Sequence, residues 1–192
     1  MFINIDALEK LKTRRAGVIP YTYFNDTIYF LFGKDSQFGE LTDFGGHREQ
    51  CENSFSTAVR EFKEETNSLF AVENLDYKNT IGIIDNGEKM AIIFIRVTEN
   101  WIDDAQEMFE SRKKLAPDEK HKEIQSLVWL SIDQLSDILD GKPGKPTTVK
   151  MWNKVKYFLK SSMGNLNNIK TSLIAECGAT YLEPRSGSDD QS

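Results

Sequence analysis

The sequence predicts a single mixed α/β domain, and three observations carry that expectation. Ala16 to Phe24, the turn Asn25-Asp26-Thr27 and Ile28 to Phe32 read as a β-hairpin rich in Tyr, Ile and Phe. A strongly patterned helix follows, capped by Asn53 or Ser54 and running to Thr66. Beyond it lies a second group of strands, Thr80 to Ile84 and Lys89 to Val97, the latter carrying Ala91-Ile92-Ile93-Phe94-Ile95. No repeat and no Pro/Gly/Ser-rich linker divides the 192 residues, so the domain is placed at 1–165 with a C-terminal extension over 166–192.

The remaining elements take their places in order. Asp6 to Lys12 suits a short helix, and Leu41 to Arg48 a short strand between hairpin and helix. Asn86-Gly87 marks the turn between the two later strands, and Ser126 to Leu130 reads as a further strand. Ser131 is placed to cap a helix over Ile132 to Leu139. Thr147 to Ser162 forms the last helix, with Met151, Trp152, Val155, Phe158 and Leu159 on one arc of about 120°. Ser186 to Ser192 is expected to fray.

Composition narrows the function classes. Hydrophobic residues at 39% and charged residues at 28% match globular domains rather than fibrous or disordered chains. The longest apolar runs, such as Met90 to Ile95, fall far short of the roughly 18 to 20 residues that cross a bilayer. Asp6, Glu9 and Lys10 stand where a signal peptide needs an apolar stretch. Cys51 and Cys177 match no zinc or redox spacing and read as reduced thiols, so an intracellular, cytoplasmic protein is expected. The net charge of −6 argues against nucleic-acid binding by the whole surface. The distribution is uneven, however: no acid occurs between Asp140 and Glu176, where seven lysines lie.

The chemistry concentrates between Gly45 and Ser68. Phe55, Ala58, Val59 and Phe62 fall within about 100° of one another on a helical wheel and define a core-facing stripe. Measured from Phe62, Glu65 lies at about −60°, Glu61 at about −100° and Glu64 at about −160°, so three acids share one flank beside that stripe. Like charges at this spacing cost a few tenths of a kcal/mol each. Arg60 and Lys63 neutralise them in part, and a hard divalent cation with oxygen ligands would do so more fully. The side-chain-free pair Gly45-Gly46 lets a cation or phosphate approach the backbone.

The series Gly46, five residues, Glu52, seven residues, Arg60-Glu61-Phe62, one residue, Glu64-Glu65 resembles the Nudix box. That resemblance implies an α/β/α sandwich with a mixed sheet and a hydrolase that cleaves a diphosphate linkage, typically in a nucleoside diphosphate joined to another moiety. It further implies Mg²⁺ or Mn²⁺ held by Glu61, Glu64, Glu65 and the Gly45 carbonyl. Arg60 would orient the glutamates and Glu52 would tie loop to helix through Arg60. Glu61 and Glu123 are the candidate bases. Two positions depart from the pattern: Asn67 stands where the box has Gly, and Ser68 where it has an apolar residue. Asn tolerates the left-handed conformation that ends a helix, and Leu69 or Phe70 would supply the apolar contact.

Each of these residues also has a plainer reading. The three acids would form a solvated helix face, Glu123 a surface acid among Asp118, Glu119, Lys120 and Lys122, and His47 an exposed loop residue. Gly46, His47, Arg14, Arg15 and Tyr21 are the candidate substrate contacts. Tyr21, Tyr23 and Phe30 would stack on a base or pack in the core; Trp129 and Trp152 are expected in the core. Lys150, Lys154, Lys156 and Lys160 form either a solvated face or a track for polyphosphate or RNA, to which Arg14 and Arg15 add, making capped RNA and diphosphoinositol phosphates alternative substrates. A non-catalytic nucleotide- or RNA-binding module on the same fold, and an acidic helix that docks a basic partner, are the competing classes.

Overall fold

A computed structural model describes residues 2–70, 80–85, 87, 89–97, 101–115, 123–141, 150–163, 171 and 173. The chain runs β1 (Phe2–Ile3), α1 (Ile5–Lys10), β2 (Arg15–Phe24), β3 (Thr27–Asp35), β4 (Leu41–Thr42), β5 (Phe44–His47) and α2 (Ser54–Glu65). It continues with β6 (Ile81–Ile84), β7 (Met90–Arg96), α3 (Trp101–Leu115), β8 (Ile124–Ser131), α4 (Ile132–Asp140) and α5 (Asn153–Met163). One mixed sheet holds the strands, in the order β1-β6-β7-β2-β3-β4, with β5 pairing β2 and β8 pairing β3. Only β2 and β7 run parallel among the pairs described.

Both faces of this sheet are apolar, because side chains alternate along each strand and helices cover each side. Ala16, Val18 and Leu31 face a cluster with Leu8 of α1, Ala58 and Phe62 of α2, and Ala105 and Phe109 of α3. Ile19, Tyr21, Phe30 and Phe94 face the other way, onto Leu135 and Leu139 of α4 and Val155, Phe158 and Leu159 of α5. The result is the three-layer α/β/α arrangement. Leu173, inside the segment assigned to the extension, is buried in the second cluster.

Local chemistry explains the boundaries. Asn25 and Asp26 both take positive φ, 46° and 58°, which gives the two-residue turn whose twist matches the hairpin. Asn53 caps α2 with a capping box: its side chain accepts the Ser56 N–H at 2.8 Å, while the Ser56 hydroxyl accepts the Asn53 N–H at 3.0 Å. Ser131 and Gln134 repeat the device on α4.

Two sequence expectations are corrected and one helix is added. Leu41 to Arg48 is two strands, because Asp43 breaks the run and the halves pair with different partners, β4 with β3 and β5 with β2. The last helix starts at Asn153, since Lys150 to Trp152 is drawn into backbone bonding with Leu41: the Leu41 N–H donates to the Lys150 carbonyl at 2.7 Å and the Trp152 N–H to the Leu41 carbonyl at 2.8 Å. The helix α3 was unassigned from sequence, although Asp103 and Asp104 in its first turn and Arg112, Lys113 and Lys114 in its last complement its dipole. Asn86, Thr147, Cys177 and the 186–192 tail lie outside the described residues.

Candidate active site

The helix α2 is fixed at both ends. At its start the buried Ser54 hydroxyl accepts the Thr13 N–H at 2.9 Å, and the Ser54 N–H donates to the Leu11 carbonyl at 2.8 Å, which ties the helix to the chain entering β2. At its end Asn67 and Ser68 both adopt φ of 53°, the left-handed turn expected of Asn67. Leu69 and Phe70 then turn back into the core, where Phe70 stacks on Phe62 at 5.2 Å between ring centroids. These anchors leave the flank bearing Glu61, Glu64 and Glu65 facing β5.

The Gly45 peptide is clamped on both sides. The Glu65 carboxylate accepts the Gly45 N–H at 2.9 Å, and the Arg15 Nη2 donates to the Gly45 carbonyl at 2.9 Å. Arg15 is itself held by Asp43 in a two-pronged ion pair, 2.7 and 2.8 Å, with the Asp43 side chain fully buried. Glycine is required here by close approach: Gly17 and Gly45 face each other across β2 and β5, and a Cβ on Gly17 would lie 2.8 Å from the Gly45 Cα. A Cβ on Gly46 would overlap the Glu61 carboxylate.

Arg60 organises the outer side. Its Nε and Nη2 donate to Glu52 at 2.7 and 3.1 Å, its Nη1 to Glu61 at 2.8 Å and Glu64 at 3.4 Å, and its Nη2 to the His47 carbonyl at 3.0 Å. Glu52 also accepts the Glu49 N–H and the Thr57 hydroxyl, so loop and helix are joined through one carboxylate.

The electrostatics follow from these contacts. The hydrogen bonds from Arg60, then those from Glu49 and Thr57, outweigh burial and bring the Glu52 carboxyl down to about 2. Burial pushes Glu61 up against the opposing pull of Arg60, with Glu64 and Glu123 repelling it further. Burial, then the charge of Asp43, raises Glu65 well above the usual carboxylate range despite Arg15. Burial works against the Arg15 charge, but Asp43 more than offsets it and the guanidinium is held more firmly protonated.

Two adjoining recesses, of about 320 and 360 Å³, share Gly45, Gly46, His47, Glu65 and Glu123. Arg60, Glu61 and Glu64 line the second, and Arg15 and Trp152 the first. Of the candidate substrate contacts, Arg14 and Tyr21 line neither: Arg14 is exposed, and Tyr21 is 1% exposed within the core because α4 and α5 cover its face of the sheet; Tyr23, Phe30 and Glu52 also stand outside both, Glu52 reaching the site through Arg60. Trp152, expected in the core, packs against it only in part and forms a recess wall, with Arg15 at 5.3 Å and Lys154 at 5.2 Å from its ring. Lys160 reaches the Leu139 carbonyl at 3.4 Å. Sequence reasoning missed Asp43, whose only signal was an acid interrupting a strand-like run two residues before Gly45.

Among the described residues no three acidic, His or Cys side chains converge on a preformed coordination point. Glu61 and Glu64 turn instead to Arg60 and Glu65 to the Gly45 N–H. The donor set nonetheless fits a hard divalent cation: burial first, and then the charges of neighbouring carboxylates, raise Glu61 and Glu65 above the usual carboxylate range, a cost that a bound cation would relieve.

No family model matches the chain. An uncharacterized protein of Acanthamoeba polyphaga mimivirus is 42% identical over 74 residues, a match covering 34% of this chain and 22% of that protein, about a fifth of its length. Among solved structures the chain is similar to a C. elegans Ap4A hydrolase in a binary complex, at 18% identity over 84% of this chain and 98% of that one, TM-score 0.48. It is similar to RenU, a Nudix hydrolase of M. smegmatis, at 13% over 84% and 88%, TM-score 0.46. It is also similar to the NUDIX domain of Shewanella oneidensis NrtR complexed with ADP ribose, at 14% over 83% and 91%, TM-score 0.41. The likeness to these Nudix proteins is one of fold.

Proposed function

We propose that this chain is a Nudix-type hydrolase that cleaves a diphosphate linkage in a phosphorylated nucleotide. The observation that carries the reading is the meeting of Gly46, Arg60, Glu61, Glu64 and Glu65 around one pair of recesses, with Glu52 holding Arg60 from behind and the Gly45 peptide clamped between Glu65 and Arg15. Glu61, Glu64, Glu65 and the Gly45 carbonyl would hold Mg²⁺ or Mn²⁺, which supplies Lewis-acid polarisation of the diphosphate and a lowered pKa for water.

The protein's own groups then have distinct tasks. Arg15, braced by Asp43, holds the Gly45 carbonyl in place, and Arg60 sets the positions of Glu61 and Glu64. Water attacks phosphorus, the bridging P–O bond breaks, and the water proton passes to a carboxylate oxygen of Glu61 or of Glu123, both of which line the second recess. Two phosphate-bearing products leave.

A panel of nucleoside diphosphate conjugates with Mg²⁺ or Mn²⁺, assayed for product by mass, tests the reading. Wild type is expected to turn over at least one of them and Glu65→Gln to lose that turnover while keeping its fold; no product from the whole panel refutes a hydrolase. Binding without product would instead favour the non-catalytic module. Capped RNA is the second reading of the substrate, favoured by Lys154 against the recess wall Trp152 at the start of the lysine-bearing helix. Its affinity would fall steeply with salt.

A further inference from the structure

We propose that the first recess is a guanine site, in which Phe38 offers the stacking face and Glu40 reads the N1–H and N2–H edge of the base. The assignment rests on the hydrolase reading and deepens it, since the same recess is lined by Gly45, Glu65 and Glu123.

Phe38 is 71% exposed, an unusual position for a large apolar ring. It is not on a slack loop. The Asp35 carboxylate accepts the N–H groups of Gln37 and Phe38 at 2.9 and 2.6 Å, Gly39 donates to the Asp35 carbonyl at 3.0 Å, and Asp35 donates to Glu40 at 2.9 Å. The Ser36 N–H bonds the Glu123 carbonyl at 2.8 Å, which joins the turn to the segment carrying the candidate base. A stiff turn thus presents an aromatic face beside the carboxylate centre at little entropic cost on binding. Trp152 forms a wall of the same recess, but Arg15 and Lys154 already lie against its ring, so Phe38 is the face left for a planar ligand.

The volume of about 320 Å³ sits at the small end of the roughly 300–1,000 Å³ of small-molecule sites, enough for one base and its sugar. The choice of base follows from Glu40. Its half-buried side chain lines the recess and carries no hydrogen bond or ion pair among the described residues. An ionised carboxylate only accepts. Guanine presents two adjacent N–H donors on its Watson–Crick edge and matches both oxygens, whereas adenine and cytosine set a bare ring nitrogen beside their amino group, and uracil sets carbonyls on either side of its single N–H. A bidentate pair of this kind discriminates by roughly 5- to 150-fold.

The test uses free guanosine and adenosine, which carry no diphosphate, titrated into the full chain without added metal and followed by NMR shifts. Guanosine is expected to bind at least about tenfold more tightly than adenosine. Glu40→Gln, whose amide sets one donor beside one acceptor, should abolish most of that preference with adenosine bound as tightly or more tightly, and Phe38→Ala should weaken both nucleosides by roughly 5- to 150-fold, the usual effect of losing one base stack. Equal affinities, no saturable guanosine binding, or a preference that survives Glu40→Gln overturns the assignment. Guanosine preference without hydrolysis of any diphosphate would defeat the hydrolase reading alone, and hydrolysis without base preference would defeat this one alone. With turnover in hand, kcat/KM for GDP-linked against ADP-linked sugars, and for guanosine- against adenosine-capped oligoribonucleotides, identifies the carrier; guanine preference in either supports the site.

Discussion

The Arg15–Asp43 pair yields an asymmetric prediction. Removing one partner of a buried ion pair costs about 3–5 kcal/mol, mostly because the other charge is left without compensation. The two removals are not equivalent here. Asp43→Ala leaves Arg15 bonded to the Gly45 carbonyl and still close to Glu65 and Glu61, whose charges favour it, which puts the cost near the lower figure. Arg15→Ala leaves two buried carboxylates, Asp43 at 0% and Glu65 at 7% exposure, repelling each other with no cation between them, which puts it near the upper one. The double variant should therefore be destabilised by less than the sum, with a coupling of roughly 2 kcal/mol or more. Urea unfolding of all four proteins at pH 7 in chelator measures each value. Equal costs, the reverse order, or simple additivity would refute the idea that Arg15 neutralises both acids.

Gly46→Ala is expected to displace the Glu61 carboxylate, a flexible group that can swing away; turnover should fall at least about tenfold while unfolding changes by less than about 1 kcal/mol, measured by kinetics and thermal melts. Glu52→Gln breaks the principal Arg60 contact. Because the Glu52 carboxyl is depressed to about 2, its contribution is fully present above the usual carboxylate value near 4.3 and vanishes as pH falls toward 2. Solvent screening at this partly exposed pair brings the expected loss to roughly 1–2 kcal/mol at pH 7, and urea melts at pH 7 and pH 3 should show the gap to wild type narrowing on acidification. Ser68→Gly removes a side chain from an exposed left-handed position and should stabilise by about 0.5–1 kcal/mol in the same assay.

The parts legible in the sequence were those whose signals are local. Asn53 and Ser131 announce their helices because a capping side chain bonds backbone three residues on, and the hairpin shows itself through strand-forming residues around Asn25-Asp26. The helix α3 escaped because its buried stripe is thin, Ala105 and Phe109 among many charges, and its packing face is set by β8. Met151 and Trp152 suited a helical wheel, yet a strand end distant in sequence claimed their backbone. The same limit governed the site. The box residues lie within one loop and one helix, so spacing brought them together on paper; Asp43, Phe38, Glu40 and Trp152 join them through tertiary pairing, of β2 with β5, of the β3–β4 turn with the segment at Glu123, and of Leu41 with Met151. Tyr21 could not be placed because nothing near it in sequence tells whether α4 and α5 will cover its side of the sheet.

The bridge between Leu41 and Met151 has a bearing on biosynthesis. The ribosome delivers the glutamate-bearing helix long before it delivers Trp152, so a nascent chain can assemble the acids while one side of the adjoining pocket is still missing. Maturation of that pocket thus waits on the late arrival of a short extended stretch, and a polypeptide halted before it would carry the acidic centre and Phe38 with the Trp152 side left open.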